Sequence, residues 1–316
     1  MDTEDVVVII PTLDEATTVG EVVAGFRVQG FDAVVVIDGP STDDTPTVAA
    51  DAGATVLRQR GRGKGAAVRE AVAATDRPII VLVDGDGTYR PEEVGDLLAP
   101  IDAGAAHVIG NRFGRMQPGA MTRLNRLGNR AINWGFRRIH GVGLTDILSG
   151  YRAFTRRSYE ALQLTADGFG IETQMAVECA KREIATAEVD ITYRPRVAGS
   201  ETNLRPVRDG GIIIIELLRR AKTTNPLVYF GSLGAIVMIL GAVVGTYVIY
   251  RWTTAGASHE LLAVAAVAGV IFGGQLLIFG FLADMLVSLQ RELVDRIGDG
   301  PSSPEEPTDS SEVRRR

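Results

Sequence analysis

Lysine and cysteine are almost absent from this chain. Three lysines (Lys64, Lys181 and Lys222) stand beside thirty arginines, and Cys179 is the only cysteine. A single cysteine excludes an intramolecular disulfide framework and fits a reducing compartment. Only three histidines occur (His107, His140 and His259), too scattered for a histidine-based metal centre. Aromatic residues make up 6% of the chain, and no basic stripe interleaves with them, which argues against nucleic-acid binding. Acids exceed bases by six, and this acid-rich, lysine-poor, Ala- and Val-rich usage suits a halophile. The acidic start Met1-Asp2-Thr3-Glu4-Asp5 lacks the basic segment of a secretory signal, so none is expected.

Charge is also missing from two long stretches. Leu227 to Tyr250 and Leu261 to Ala283 contain no Asp, Glu, Lys or Arg, and each as a helix covers the roughly 30 Å hydrocarbon layer. Arg205, Arg208, Arg219, Arg220 and Lys222 precede the first stretch, and Arg291 and Arg296 follow the second. The connecting loop has Arg251 alone. The positive-inside rule therefore predicts a multi-pass protein of the cell membrane with both ends cytoplasmic. The expected organisation is a catalytic domain over 1–205, an interfacial amphipathic segment over 206–225, a transmembrane hairpin over 226–284 and a partly disordered cytoplasmic tail over 285–316. The interfacial reading rests on Ile212 to Ile215 followed by Arg219 and Arg220, with an extra strand as the alternative.

The first two hundred residues alternate strand and helix patterns. Strands are predicted at Val6–Ile10, Ala33–Ile37, Thr55–Leu57, Ile79–Val83 and His107–Gly110. Helices are predicted at Ala16–Val28, Asp43–Ala52, Gly65–Ala74, from Pro91 to Pro100, and from about Ala120 to Arg138. The rhythm implies an α/β fold with a mostly parallel sheet. Polar residues cluster after the strands: Asp14 and Glu15, Asp38, Asp84 and Asp86, and Asn111 with Arg112. In open sheets the carboxyl ends of strands are where ligands bind. Asp84-Gly85-Asp86 reads either as a polar turn or as an oxygen-ligand seat for a divalent cation. For Asp14 a helix N-cap is the rival reading.

Seven segments in order then resemble a known family: Pro11-Thr12-Leu13-Asp14-Glu15, Asp38-Gly39-Pro40-Ser41-Thr42-Asp43-Asp44-Thr45, Arg62-Gly63-Lys64-Gly65, Asp84-Gly85-Asp86 with Pro91-Glu92, Gly110-Asn111-Arg112-Phe113, Asp146-Ile147-Leu148-Ser149-Gly150-Tyr151-Arg152, and Arg196-Val197-Ala198-Gly199-Ser200. The chain resembles the family 2 glycosyltransferases of GT-A (Rossmann-like) fold, in the dolichyl-phosphate mannose synthase and polyprenyl-phosphate hexosyltransferase group. Among these it is most similar to the haloarchaeal dolichol-phosphate hexosyltransferases that begin S-layer N-glycan assembly; the Arg126-Leu127-Gly128-Asn129-Arg130 string contributes to that likeness.

The resemblance implies an inverting, metal-dependent hexosyltransferase. The donor would be a nucleotide-hexose, with UDP-glucose favoured and GDP-mannose the alternative; the acceptor would be dolichyl or polyprenyl phosphate in the lipid bilayer. Asp84 and Asp86 would hold Mg²⁺ or Mn²⁺. Pro11, Asp14, Glu15 and Asp38 would receive the nucleoside, and Arg62-Gly63-Lys64-Gly65, at a helix start, would contact the diphosphate through Lys64 and the free backbone N–H groups there. Arg112, Arg126 and Asn129 would meet the acceptor phosphate; Asp146 would orient the sugar or an arginine, with a structural salt bridge as the alternative. Ser149, Arg152 and Arg196 complete the implied substrate set. Gly39 stands where the family has a second Asp, and Thr88 where mannose synthases often carry Gln. A processive polysaccharide synthase and a non-catalytic membrane scaffold are the competing readings. The first would need Gln-x-x-Arg-Trp, where this chain has Val248 before Arg251-Trp252.

Overall fold

The computed structural model of the protein describes residues 2–168, 170–197 and 226–298, without side chains from 290 onward, in two compact units that divide between Arg220 and Ala221. The amphipathic segment over 206–225 and the tail beyond Gly298 lie outside the described residues, as does most of the Arg196–Ser200 motif.

The first unit is built on a seven-stranded sheet. Its strands are β1 (Val6–Thr12), β2 (Ala33–Asp38), β3 (Thr55–Arg58), β4 (Ile79–Leu82), β5 (His107–Met116), β6 (Arg152–Thr155) and β7 (Thr186–Tyr193), in the order β3-β2-β1-β4-β6-β5-β7. β6 runs antiparallel to both β4 and β5, and the other pairings are parallel. The two reversals cancel, so six strands point one way and β6 alone points back. The expected mostly parallel α/β sheet is therefore present, with β6 and β7 unforeseen: the four residues beginning with Arg152 carry no strand periodicity, whereas Thr186–Tyr193 alternates polar and apolar residues and could have been read as a strand. Because β6 is reversed, the loop entering it, Ser149-Gly150-Tyr151, lies at the edge where the other strands end.

Side chains alternate across the sheet, as period-two strands require. Val6, Val8 and Ile10 pack with Val34, Val36, Val81 and Val83 against helices α1 (Val19–Val28) and α4 (Val94–Asp102). Val7 and Ile9 pack with Val35, Ile37, Ile80 and Leu82 against α3 (Lys64–Ala73) and α7 (Ile171–Lys181), where Cys179 is buried. Between these come α2 (Thr45–Asp51), α5 (Arg123–His140) and α6 (Arg156–Ala161).

Two boundaries differ from expectation for local reasons. α1 begins at Val19, not Ala16, because Glu15 O accepts from Thr18 N and Val19 N at 3.1 and 3.0 Å, while Asp43 Oδ2 holds Ala16 N at 3.1 Å. β5 runs six residues past Gly110 by pairing with β7, through an irregularity between Asn111 and Arg115. α5 begins where Thr122 caps Asn125 N at 3.2 Å, and ends at Gly141 with φ of 69°.

The second unit is a helical hairpin, α8 (Pro226–Ala255) and α9 (Glu260–Gly298). Both helices are long and apolar enough to cross a membrane. Helical structure continues past the expected boundary at 284 to Gly298. The helices meet at glycines: a Cβ on Gly234 would stand 2.6 Å from Gly273 O, and one on Gly241 would stand 2.8 Å from Ala266 O. Small residues that let backbones approach this closely are how apolar helices associate in lipid, where no hydrophobic drive separates them from the chains around them.

Candidate active site

The edge where the strands end collects the polar residues read from the sequence. β4 ends at Leu82, paired with Ile9 of β1. Pro11 has the parity of Ile9, whose carbonyl accepts from Val83 N at 3.1 Å, so its missing N–H falls beyond the end of β4. The sheet opens there, and Asp84 and Asp86 stand in the opening.

Both carboxylates already face cations. The Lys64 ammonium pairs with Asp84 Oδ1 and, at 2.5 Å, with Glu172 Oε1. Arg196 Nη2 pairs with Asp86 Oδ2 at 2.6 Å, and Arg196 Nη1 lies 3.4 Å from Glu15 Oε1. Thr88 donates to Asp86 Oδ1 through its backbone N at 3.0 Å and its hydroxyl at 2.6 Å. Burial, and then the like charge of Asp84, push the Asp86 carboxyl above its ordinary range despite Arg196 and Thr88. Burial opposes the Lys64 charge, but Asp84 and Glu172 outweigh it and keep the ammonium protonated.

Two close carboxylates form an oxygen donor set for a hard divalent cation. Asp84 Oδ2 takes no hydrogen bond among the described residues, and no group of three His, Cys, Asp or Glu side chains is placed to ligate among them. The residues present therefore fit a cation held by two protein carboxylates, with the ligand's own oxygens and water completing the shell. Thr88 donates to Asp86 and so supports that carboxylate from behind.

Gly150 has a steric reason to be glycine: a Cβ there would lie 2.4 Å from Asp84 Oδ2. Its N–H donates to Tyr89 Oη at 3.0 Å, which fixes the loop against the carboxylate. Gly150→Ala is expected to displace Asp84 and lower activity about 10²-fold in a folded protein, the scale of an ångström misplacement at a reacting centre. Steady-state kinetics beside a thermal melt checks this.

β1 and β2 bring together the acids expected to meet the nucleoside. Asp38 accepts from Ser41 Oγ at 2.6 Å and Thr12 Oγ1 at 3.2 Å, and burial raises its proton affinity against these bonds. Asp14 is not the cap of α1, whose N-cap position is Thr18. It adopts a positive φ of 56°, and its Oδ1 accepts from Thr42 N at 2.7 Å, joining the two loops. Glu15 is buried beside Arg196.

The opposite side holds arginines. Arg112 makes a fork with Asp146, Nε to Oδ2 at 2.7 Å and Nη2 to Oδ1 at 2.8 Å, and its backbone N also donates to Oδ2 at 3.0 Å. The same Nη2 donates to Asn129 Oδ1 at 2.8 Å, and the guanidinium lies 5.4 Å from the Tyr193 ring centre. Asp146 is thus paired with an arginine, an arrangement that fits both the orienting role and a structural salt bridge. Arg126 contacts Met116 Sδ at 3.1 Å and leaves its buried Nε without a partner. Arg152 is fully buried: it donates to Ser149 O at 2.9 Å and Ile147 O at 2.6 Å, and lies 3.3 Å from His107 Nε2. Arg152 and the buried Ser149 shape the loop under the site from within.

The helix start at Lys64 also differs from expectation. Gly65 N and Ala66 N donate to Asp167 O at 2.8 and 3.3 Å, so the chain itself occupies these backbone donors. The Lys64 side chain is what α3 brings to the carboxylates. Glu172, Tyr89 and Glu188 were not legible as site residues. Glu188 accepts from the backbone of Thr145 and Asp146, with Asp146 N to Oε1 at 2.8 Å; it is one of four polar residues alternating with apolar ones in β7, so nothing in the sequence singled it out.

The family model for glycosyl transferase family 2 matches residues 7–162. "Glycosyltransferase AglJ" of Haloferax volcanii is 55% identical over 299 residues, covering 94% of this chain and 99% of that protein. The chain belongs to glycosyl transferase family 2. A second Haloferax volcanii relative, "Dolichyl-phosphate hexose transferase", is 36% identical over 212 residues, 66% of this chain and 91% of that protein. Among solved structures, glucosyl-3-phosphoglycerate synthase from Mycobacterium tuberculosis in complex with Mn²⁺, UDP-glucose and phosphoglyceric acid is similar, with a TM-score of 0.57 and 27% identity over 68% of this chain and 79% of that one. The GT-A fold is the one described above, and the chain is a glycosyltransferase.

Proposed function

We propose that this glycosyltransferase moves a hexose from a nucleotide-sugar, UDP-glucose by preference, to dolichyl or polyprenyl phosphate at the cytoplasmic face of the cell membrane, as the opening step of lipid-linked N-glycan assembly. The observation that carries the reading is the pairing of an acidic seat, Asp84 with Asp86, and an arginine seat, Arg112 with Asn129, at one sheet edge in a chain that also bears two apolar hairpin helices. The relative named as a dolichyl-phosphate hexose transferase supports the acceptor class, and the neighbour in complex with UDP-glucose supports the donor.

Asp84 and Asp86 would hold Mg²⁺ or Mn²⁺, which supplies charge stabilisation to a departing nucleoside diphosphate. The protein's own groups do the remainder. Lys64, protonated between Asp84 and Glu172, adds positive charge beside the diphosphate. Asp38, Asp14 and Glu15 accept from ribose and base. Arg112, held through Nε and Nη2 by Asp146 and Asn129, offers its remaining Nη1 to an acceptor phosphate as a charge-assisted donor. The phosphate monoester has a second pKa of about 6, so it attacks the anomeric carbon already ionised and no general base is required. Rate comes from positioning two anions against fixed cations.

The test is a donor panel. Purified full-length protein with labelled UDP- and GDP-hexoses, dolichyl phosphate and Mg²⁺ is expected to place label in the organic phase, most with UDP-glucose, and chelation should abolish it. No lipid-phase label with any donor would overturn the proposal.

A further inference from the structure

The second apolar stretch carries a single polar side chain. Between Leu261 and Ala283 every residue is Ala, Gly, Val, Ile, Leu or Phe except Gln275. Along the helix it lies about 12 Å before Ala283 and about 21 Å after Leu261, within the depth of a roughly 30 Å hydrocarbon layer. Its carboxamide offers two N–H donors and a carbonyl acceptor. Gln275 is exposed and makes no hydrogen bond among the described residues. The hydroxyls of α8 are settled within their own helix: Ser232 donates to Tyr229 O at 3.2 Å and Thr246 to Ala242 O at 2.9 Å.

Gln275 also stands on the side of α9 away from α8. Gly273 meets α8, since a Cβ there would lie 2.5 Å from Gly234 O, and Gln275 follows about 200° further round the axis. The exposed residues around it recur in alternating steps of three and four: Val264, Ala268, Ile271, Gln275, Ile278 and Leu282. That spacing is a heptad seam with one polar residue at an a position. Lipid alone accounts for the apolar members of the seam, but not for the amide. Gly274 beside it is a second departure, because a Cβ there would meet nothing within 4 Å and α8 does not demand the glycine.

We propose that this seam of α9 pairs with the same seam of a second copy of the chain, Gln275 exchanging hydrogen bonds with the partner subunit's Gln275. Copies inserted in one orientation are related by a twofold axis along the membrane normal, which brings the two amides to the same depth. A carboxamide is its own complement, donor to acceptor in both directions. A different partner would have to carry a matching polar group at that depth, which symmetry supplies without further cost. Gly274 lets the paired backbones approach closely, and polar side chains join helices where lipid offers no hydrogen bonds. The inference rests on the reading that the hairpin spans the bilayer.

The test uses full-length protein labelled at its N-terminus with a donor or an acceptor dye, reconstituted together in phosphatidylcholine vesicles. Energy transfer between copies is expected, falling along a monomer–dimer curve as lipid is added. Gln275→Leu keeps the helix apolar and is expected to weaken association about 5- to 30-fold, equivalent to the roughly 1–2 kcal/mol of an interhelical hydrogen bond in model peptides. Gln275→Asn retains the carboxamide and should keep most of the association. Leu282→Cys on the seam should cross-link on mild oxidation, whereas Ile239→Cys, on the exposed side of α8, should not; the native Cys179 is buried. Energy transfer unchanged by Gln275→Leu, or equal cross-linking from both cysteines, would overturn the proposal. Protein that resists alkaline extraction from the vesicles yet shows no energy transfer would overturn the seam and leave the membrane reading intact. Release of the unaltered protein by alkaline extraction would overturn the membrane reading, and the seam with it.

Discussion

Asp86→Asn lowers transfer about 10³-fold and leaves the melting temperature unchanged or slightly raised. The two halves of this expectation share one cause. Burial and the charge of Asp84 both work against an ionised Asp86. A neutral amide of the same shape removes that repulsion and keeps the Thr88 contacts within reach. Arg196 loses its partner at 2.6 Å but keeps Glu15, and with its side chain 32% exposed it can turn to water. A cation seat with one carboxylate, however, cannot hold a divalent ion against a diphosphate leaving group. Steady-state transfer and a thermal melt on the same preparation check both halves. A fall in stability with activity retained would mean that Asp86 serves the fold.

The pair on the other side of the site is expected to behave in the opposite way. Asp146 is fully buried and accepts three hydrogen bonds from Arg112. Asp146→Ala leaves a buried guanidinium without its countercharge and should cost about 3–5 kcal/mol of stability, along with activity. Replacing both partners, Asp146→Ala with Arg112→Met, removes the uncompensated charge and should recover most of that stability while activity stays lost. Chemical denaturation and transfer assays on the two variants separate the contributions. If the double variant regains activity with its stability, Arg112 has no part in the reaction.

The contrast between these two pairs explains what could be read from the sequence. β1, β2 and β4 are β-branched runs buried on both faces, and nothing competes with that pattern, so the strands are legible and each end falls within two residues of expectation: β1 runs on to Thr12, β2 to Asp38, and β4 stops at Leu82. Asp84 and Asp86 needed only the knowledge that β4 stops before them. The reversed β6 was invisible because its four residues include Arg152, which reads as a charged surface position. Its burial follows from two carbonyls, Ser149 O and Ile147 O, that only the folded loop brings together. Lys64 was found, but its partner Glu172 lies more than a hundred residues away on α7, and no local pattern links them. The helix start at Gly65 looked free to hold phosphate until the Asp167 carbonyl, also distant in sequence, was seen to occupy it. Local signals located the strand ends, and long-range ion pairs decided how each residue there is used.

The central claim is that the two seats at this sheet edge join a hexose to a lipid phosphate. Product analysis after a single turnover tests it most directly, using purified full-length protein, one equivalent of labelled nucleotide-hexose and excess dolichyl phosphate, with mass spectrometry of the lipid. The predicted result is one hexose on the lipid phosphate, with its anomeric configuration inverted from the donor's and nucleoside diphosphate released in equal amount. Label recovered only as free hexose or as water-soluble polymer, with the lipid phosphate unmodified, would contradict the account.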